Sequence, residues 1–184
     1  MINRFFILIV GYFLFISTAT ANSSNFTGET LSLSIDFPTI GTIFAGPYNS
    51  VVGDNVEFGP SGSRGTRYVV SVDIDISSNS IYFDYSSSGS GVFSSGAFNG
   101  YVFTDVNDSV SDIIDVRIDF DETTLDLEES MVSFNENQIF VNGASLQHNP
   151  NSRIKLDVDF ASSDDEGMCF PIKTSNDKVA IICL

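Results

Sequence analysis

Three stretches of this chain alternate apolar residues with aspartates: Val72-Asp73-Ile74-Asp75-Ile76, Val116-Arg117-Ile118-Asp119-Phe120-Asp121 and Leu156-Asp157-Val158-Asp159-Phe160. Side chains on a β-strand point to opposite faces with a period of two, so each stretch is typical of a half-buried strand. We expect the apolar face to pack on a core and the opposite face to present carboxylates to solvent. The stretches therefore predict a β-protein and raise the question of whether the carboxylates bind anything.

The rest of the chain is also a series of short apolar runs separated by turn residues. Leu31-Ser32-Leu33-Ser34-Ile35 alternates in the same way, Ser77-Ser78-Asn79 is expected to turn one strand into the next, and Asn142-Gly143 is the strongest hairpin signal. Residues 86–96 are rich in serine and glycine and are expected to form a mobile loop. About ten such runs without a convincing helix predict an all-β fold, as a single antiparallel two-sheet β-sandwich.

The N-terminus has the three-part layout of a secretory signal peptide. Met1–Arg4 carries one positive charge, Phe5–Ile16 is almost wholly apolar, and Ala19-Thr20-Ala21 supplies the small residues of a cleavage site. The apolar run is shorter than the roughly 20 residues that a membrane-spanning helix needs. The sequence therefore predicts a signal peptide over residues 1–21, a β-sandwich domain over 22–184, and a secreted or periplasmic location.

The two cysteines, Cys169 and Cys183, lie close to the C-terminus. In an exported protein such a pair is most simply a disulfide. The turn cluster Thr174-Ser175-Asn176-Asp177 lies between two apolar runs, so a hairpin would place the cysteines opposite each other. Closing a loop of about 15 residues would stabilise the fold by roughly 3 kcal/mol in the chain-entropy model. We therefore expect a C-terminal disulfide hairpin.

The charge balance is strongly acidic, with 8 lysines and arginines against 24 aspartates and glutamates and a formal net charge of −16. Loss of Arg4 with the signal peptide would make the value −17. Such a field repels nucleic acids and anionic membrane surfaces, because both are bound through lysine and arginine. The composition therefore argues against these partners and favours solubility, cation binding or life in salty surroundings.

The best candidate for a cation site is the loop that contains Asp105, Asn107, Asp108 and Asp112. Oxygen ligands crowded into a turn suit calcium, which takes about 6–8 oxygens in flexible geometry. The spacing is not that of an EF-hand. Aspartate and asparagine also occur in turns for backbone reasons alone. Calcium binding and a purely structural loop both stay open from the sequence, and we predict no other cofactor.

Signals for catalysis are weak, and the sequence predicts that the protein is not an enzyme. The only histidine, His148, lies in a turn-like segment, and no Gly-x-Ser-x-Gly motif is present for a serine hydrolase. Paired acids are able to hydrolyse glycosides, but acids are so plentiful here that no pair stands out. The chain also has no tryptophan for stacking on sugars.

Three further stretches carry a family resemblance: residues 51–58 (VVGDNVEF), residues 98–105 (FNGYVFTD), and Val132-Ser133-Phe134 followed by Ile139-Phe140-Val141-Asn142. Their order and spacing resemble a loosely defined group of exported bacterial β-domain proteins of unknown function, many with a C-terminal sorting anchor of the PEP-CTERM type. The resemblance implies a secreted bacterial β-domain and no catalytic residue. This chain departs from the group by ending in the cysteine pair without that anchor.

The leading functional hypothesis is a non-catalytic exported β-sandwich that binds an extracellular or envelope partner or takes part in assembly. Its loops at 86–96 and 105–112 would be displayed on a rigid scaffold. One alternative is a calcium-dependent carbohydrate-binding module or adhesin that uses the 105–112 loop, with a glycan as partner. A third is a glycoside hydrolase, which needs two facing carboxylates about 5 to 9 Å apart in a cleft.

Overall fold

The strands of a computed structural model follow the predicted pattern closely along most of the chain. The model describes residues 22–60, 70–162, 169–173 and 179–183, and the predicted signal peptide lies outside them. Within these residues the fold is all-β, with thirteen strands and one 3₁₀ turn at Glu129–Met131. In chain order the strands are β1 (Thr30–Asp36), β2 (Ile43–Val51), β3 (Asp73–Ile76), β4 (Ser80–Asp84), β5 (Gly91–Val92), β6 (Gly100–Asp105), β7 (Ile113–Ile118), β8 (Val132–Asn135), β9 (Gln138–Asn142), β10 (Gln147–His148), β11 (Arg153–Phe160), β12 (Cys169–Lys173) and β13 (Val179–Cys183).

Two antiparallel sheets make up the body of the protein. One has five strands in the order β2-β1-β6-β9-β8, and the other has four in the order β3-β4-β11-β7. The edge strands β7 and β8 lie next to each other, so the two sheets meet along that side. The opposite edges are formed by β2 and β3. This arrangement is consistent with the predicted β-sandwich, and two short two-stranded sheets, β10-β5 and β12-β13, are added to it.

The hydrophobic core lies between the inner faces of the two sheets. Phe83 of β4 packs across it against Tyr101 and Phe103 of β6, with ring centroids 5.2 and 5.8 Å apart. The period-two prediction is confirmed for the first and third aspartate-rich stretches, but in the second β7 ends at Ile118 and Phe120 lies 58% exposed in the turn that follows. Five apolar residues of the aspartate-rich strands are buried. These are Ile74, Ile76, Ile118, Leu156 and Val158. Burial of each side chain is worth about 1.5–3 kcal/mol relative to exposure, so together they stabilise the sheet pairing strongly.

The outer face of the four-stranded sheet carries cations among its aspartates. Asp115 of β7 and Asp159 of β11 are directly opposite each other, and Arg117 contacts both carboxylates at 2.6 Å. Its hydrogen bond lowers the pKa of Asp159. Among the described residues, further ion pairs on this face join Lys155 to Asp119 and Glu122, and Arg153 to Asp84. The repulsion between facing carboxylates is therefore offset by neighbouring cations, and no bound metal is needed to explain it.

The prediction of a β-hairpin at Asn142-Gly143 is wrong. β9 ends at Asn142 in the five-stranded sheet, whereas β10 pairs with β5 in a separate one. The Asn142 side-chain oxygen instead accepts hydrogen bonds from the backbone N–H groups of Asn99 and Ala144, at 3.0 and 3.1 Å. Asparagine stabilises such local turns through its side chain without reversing the strand, which explains the misleading signal.

The C-terminal strands form the predicted hairpin in their backbone pairing. β12 and β13 are antiparallel, with Cys169 directly opposite Cys183. The predicted disulfide concerns side chains that lie outside the described part of the chain. Within the described residues this hairpin is a sheet of its own, separate from the two sheets of the body.

Candidate functional site

Asp105, the first residue of the predicted calcium loop, holds that loop together. It lies at the C-terminal end of β6 and is 7% exposed. Its carboxylate accepts hydrogen bonds from the backbone N–H groups of Asn107 (3.2 Å), Ser109 (2.7 Å) and Val110 (2.8 Å). Charged acceptors form stronger hydrogen bonds than neutral ones, so this carboxylate fixes the turn after β6.

The four predicted calcium ligands are only partly brought together. Asp108 and Asp112 line one open depression, whose other walls are formed by Asn135, Glu136 and Asn137. Asp105 and Asn107 are not among the residues that line it. Within the described residues, no group of three or more histidines, cysteines, aspartates and glutamates could hold a metal ion. The calcium site stays a prediction.

Two further buried acids act on the backbone in the same way as Asp105, and sequence reasoning missed both. Asp36 accepts a hydrogen bond from the N–H of Gly41 at 2.7 Å. Glu57 accepts from the N–H groups of Gly53 and Ile76 at 2.9 and 2.7 Å. Burial raises the pKa of Glu57, although these hydrogen bonds oppose the rise. Each of these acids fixes a connection between elements.

An apolar groove opens at the other end of β6, about 17 Å along the strand at 3.3 Å per residue. It encloses about 220 Å³ and is formed by the ends of β1, β2 and β6, by β5, and by the chain that leads into β3. We use the term apolar groove for this cavity. Its apolar walls include Ile35, Phe37, Phe44, Val92, Phe93 and Tyr101.

The floor of the apolar groove is a packed set of aromatic rings. Phe93 meets the rings of Tyr85 and His148 edge to face, with centroids 6.4 and 5.1 Å away. The Tyr85 hydroxyl donates a hydrogen bond to the Tyr101 hydroxyl at 3.3 Å. Burial raises the pKa of Tyr101 to about 12, so both hydroxyls are neutral at ordinary pH. The two tyrosines therefore add no charge beneath the groove.

The rim of the groove exposes large apolar side chains. Phe44 is 56% exposed and Val92 63%, and both line the cavity. Ile40 and Ile43, in the segment next to Phe44, are exposed to a similar degree. Phe37 supports Phe44 from below through an edge-to-face contact with centroids 6.5 Å apart. Contiguous exposed apolar surface on a soluble protein commonly marks an interaction site.

The polar groups at the groove are held by the protein's own hydrogen bonds. The Asn99 side-chain amide donates to the Ser94 carbonyl at 2.8 Å, which fixes the loop between β5 and β6. A Cβ atom on Gly100 would collide with the carbonyl oxygen of Val141, so only glycine allows β6 and β9 to approach here. The groove is therefore preformed in the folded chain.

His148 lies behind the groove floor, on β10 rather than in a turn, opposite Gly91 of β5. Its Nδ1 atom is buried, and no hydrogen-bond partner for it is found within the described residues. Burial lowers the pKa of His148, and a hydrogen bond with the Gly89 backbone partly opposes this. The pairing of β5 with β10 also places strand structure in the 86–96 segment, where the sequence predicts a mobile loop.

None of the described residues that line the groove is an acid or a histidine, and most of them are apolar. The described helical turn is far too short to cross a membrane, and no other described segment is a long apolar helix. Searches of known protein families, of characterised proteins and of solved structures found no match to this chain.

Proposed function

We propose that this protein is a non-catalytic exported β-sandwich protein that acts by binding, and that its binding site is the apolar groove. The observation that carries the proposal is a preformed cavity with an aromatic floor and an exposed apolar rim. Ligand sites in proteins are typically concave and mostly apolar, with a few fixed polar groups. The proposal also includes export directed by the predicted signal peptide and a disulfide between Cys169 and Cys183.

The size of the groove limits its ligand. Its volume of about 220 Å³ is below the roughly 300–1,000 Å³ of pockets for drug-sized molecules. A single aromatic or branched aliphatic group fits such a space. β2 forms one wall of the groove and is an edge strand of the five-stranded sheet within the described residues. An extended peptide is able to pair with an edge strand and place one apolar side chain beside it.

The binding test uses the neutral fluorescent probe N-phenyl-1-naphthylamine with the chain from Asn22 to Leu184. Phe44→Ser removes an apolar wall of the groove, and Phe120→Ser is a matched control because Phe120 is 58% exposed but does not line it. We expect saturable binding to the unchanged chain and to Phe120→Ser. Phe44→Ser should bind about tenfold more weakly or worse, as expected for loss of one buried aromatic contact.

Equal weakening in both variants, or no saturable binding to any of them, would overturn the groove as the binding site. Far-UV circular dichroism melts of each variant distinguish loss of binding from loss of fold. Phe44→Leu is the conservative variant and should bind nearly as well as the unchanged chain.

A further inference from the structure

We infer that the partner of the apolar groove is the C-terminal hairpin, residues 169–183, of a second copy of this chain. Copies would then associate head to tail. The inference rests on the proposed function, because it names an occupant for that binding site. Four observations support it: the sequence of the hairpin, its separation from the body sheets, its point of attachment and its charge.

By backbone register, apolar residue types stand opposite each other along the hairpin. Phe170 is opposite Ile182, and Ile172 is opposite Ala180. Residues opposite each other in an antiparallel pair share a face, so these four positions belong together. Within the described residues β12 and β13 pair only with each other. A two-stranded hairpin alone is marginally stable in water, so an apolar face of this kind needs a surface to cover it.

The hairpin is attached at the end of the body that is remote from the groove. β11 begins with Arg153 opposite Asp84 and ends with Phe160 opposite Ile113, next to the acidic loop. The eight residues of β11 cover about 23 Å. The connector 161–168 reaches at most about 30 Å when fully extended. Docking in its own groove would require a nearly straight connector running back along the body, whereas docking in a second copy does not.

Charge favours the same partner. The hairpin carries Lys173 and Lys178 against Asp177 alone, a net charge of +1 in a chain whose formal net charge is −16. Two acidic bodies repel each other, and the hairpin is a part of each copy that the field of the other attracts. Because groove and hairpin are different surfaces, the contact is heterologous and is able to continue from copy to copy.

The test is sedimentation velocity of the chain from Asn22 to Leu184 over a range of concentrations, with three variants. Phe44→Ser disables the groove, Phe170→Ser disables the hairpin, and Phe120→Ser is the control. We expect the unchanged chain and the control to gain mass as concentration rises, while each of the first two variants alone stays monomeric. An equimolar mixture of Phe44→Ser and Phe170→Ser should form a dimer and stop there, because it retains one intact groove and one intact hairpin.

A chain that is monomeric at all concentrations would overturn the inference, and so would a mixture of the two variants that fails to pair. If N-phenyl-1-naphthylamine still binds the groove of Phe170→Ser in that case, the proposed function stands and only the partner is wrong. If the probe fails to bind as well, both fail. Melting curves check that each variant is folded, and Ile182→Ser replaces Phe170→Ser if the latter does not fold.

Discussion

The two ends of β6 differ in what their side chains are used for. At the C-terminal end, Asp105 and its loop are acidic and exposed in part, and they attract attention in the sequence. Yet the Asp105 carboxylate is occupied by three backbone N–H groups. At the N-terminal end, Gly100 and Tyr101 border a groove whose described lining residues are uncharged and that leaves apolar side chains such as Phe44 in solvent.

Acids are therefore poor markers of a functional site in so acidic a chain. Asp36, Glu57 and Asp105 are buried and hold backbone turns, while Asp115 and Asp159 share Arg117 on the surface. Exposed aromatic surface is harder to explain by structure alone, because leaving it in water forgoes the free energy of burial. The groove is for that reason the stronger candidate for function.

The largest effect is expected at the groove end, from Gly100→Ala. A Cβ atom there would collide with the Val141 carbonyl, so β6 and β9 must separate, and we expect a loss of about 2–4 kcal/mol in the free energy of unfolding. Urea denaturation measures it. Gly53→Ala is the control, since a Cβ atom there meets nothing within 4 Å, and should change stability by less than about 0.5 kcal/mol. Similar effects at both positions would contradict the close approach.

At the acidic end, Asp105→Asn should cost about 1–3 kcal/mol, because the amide places an NH₂ group where an oxygen now accepts backbone hydrogen bonds. Asp108→Asn should change stability by less than about 0.5 kcal/mol, since Asp108 is exposed with a φ of 53°, which asparagine tolerates. Both values should be the same in calcium and in a chelator. A calcium-dependent rise in melting temperature that both variants abolish would instead favour the calcium-dependent alternative.

The groove end should also respond to pH through His148. Burial lowers the pKa of His148 below its value of about 6.5 in the unfolded chain, so the unfolded state binds the proton more readily. Its contribution to stability is therefore complete above pH 6.5 and is lost as the pH falls through the folded pKa. We expect the free energy of unfolding of the unchanged chain to fall more between pH 7.5 and 5 than that of His148→Phe.

Glu57 has the opposite effect on the free energy of unfolding. Because its pKa is raised in the folded state, it favours folding as the pH falls toward 4.5. Both chains contain Glu57, so its contribution cancels when the free energy of unfolding of His148→Phe is subtracted from that of the unchanged chain. A difference that stays constant between pH 7.5 and 5 would show that His148 is not buried as described.

The smallest effect is expected on the outer face of the four-stranded sheet. Arg117→Gln removes the cation between Asp115 and Asp159, but these groups are well exposed, so solvent and salt screen the interaction. We expect a small fall in melting temperature at low ionic strength that disappears in 1 M salt. A large fall that persists in high salt would show that the ion pair matters more to the fold than the buried turns do.

The sequence predicts the strands well where period-two alternation is clean, as in β1, β3, β4 and β11. It misses β2, because Gly46-Pro47 within that strand is a typical turn signal, and Pro is tolerated there at a sheet edge. It also misses the pairing of β5 with β10, since a two-residue strand has no periodicity.

The groove is beyond a reading of the sequence for a different reason. Phe37, Phe44, Phe93 and Tyr101 come from separate segments, and only the sheet order brings them together. The acidic loop is local in sequence and therefore visible, but the same aspartates serve a turn and a cation equally well. Local signals in this chain predict elements, while the candidate site depends on long-range pairing.

Backbone hydrogen exchange with and without saturating N-phenyl-1-naphthylamine tests most directly which end of β6 is the binding end. We predict added protection in residues 35–45 and 91–101, around the apolar groove, and unchanged exchange in residues 105–112. Protection confined to 105–112, or no change in either segment on saturation, would show that the apolar groove is not the binding site.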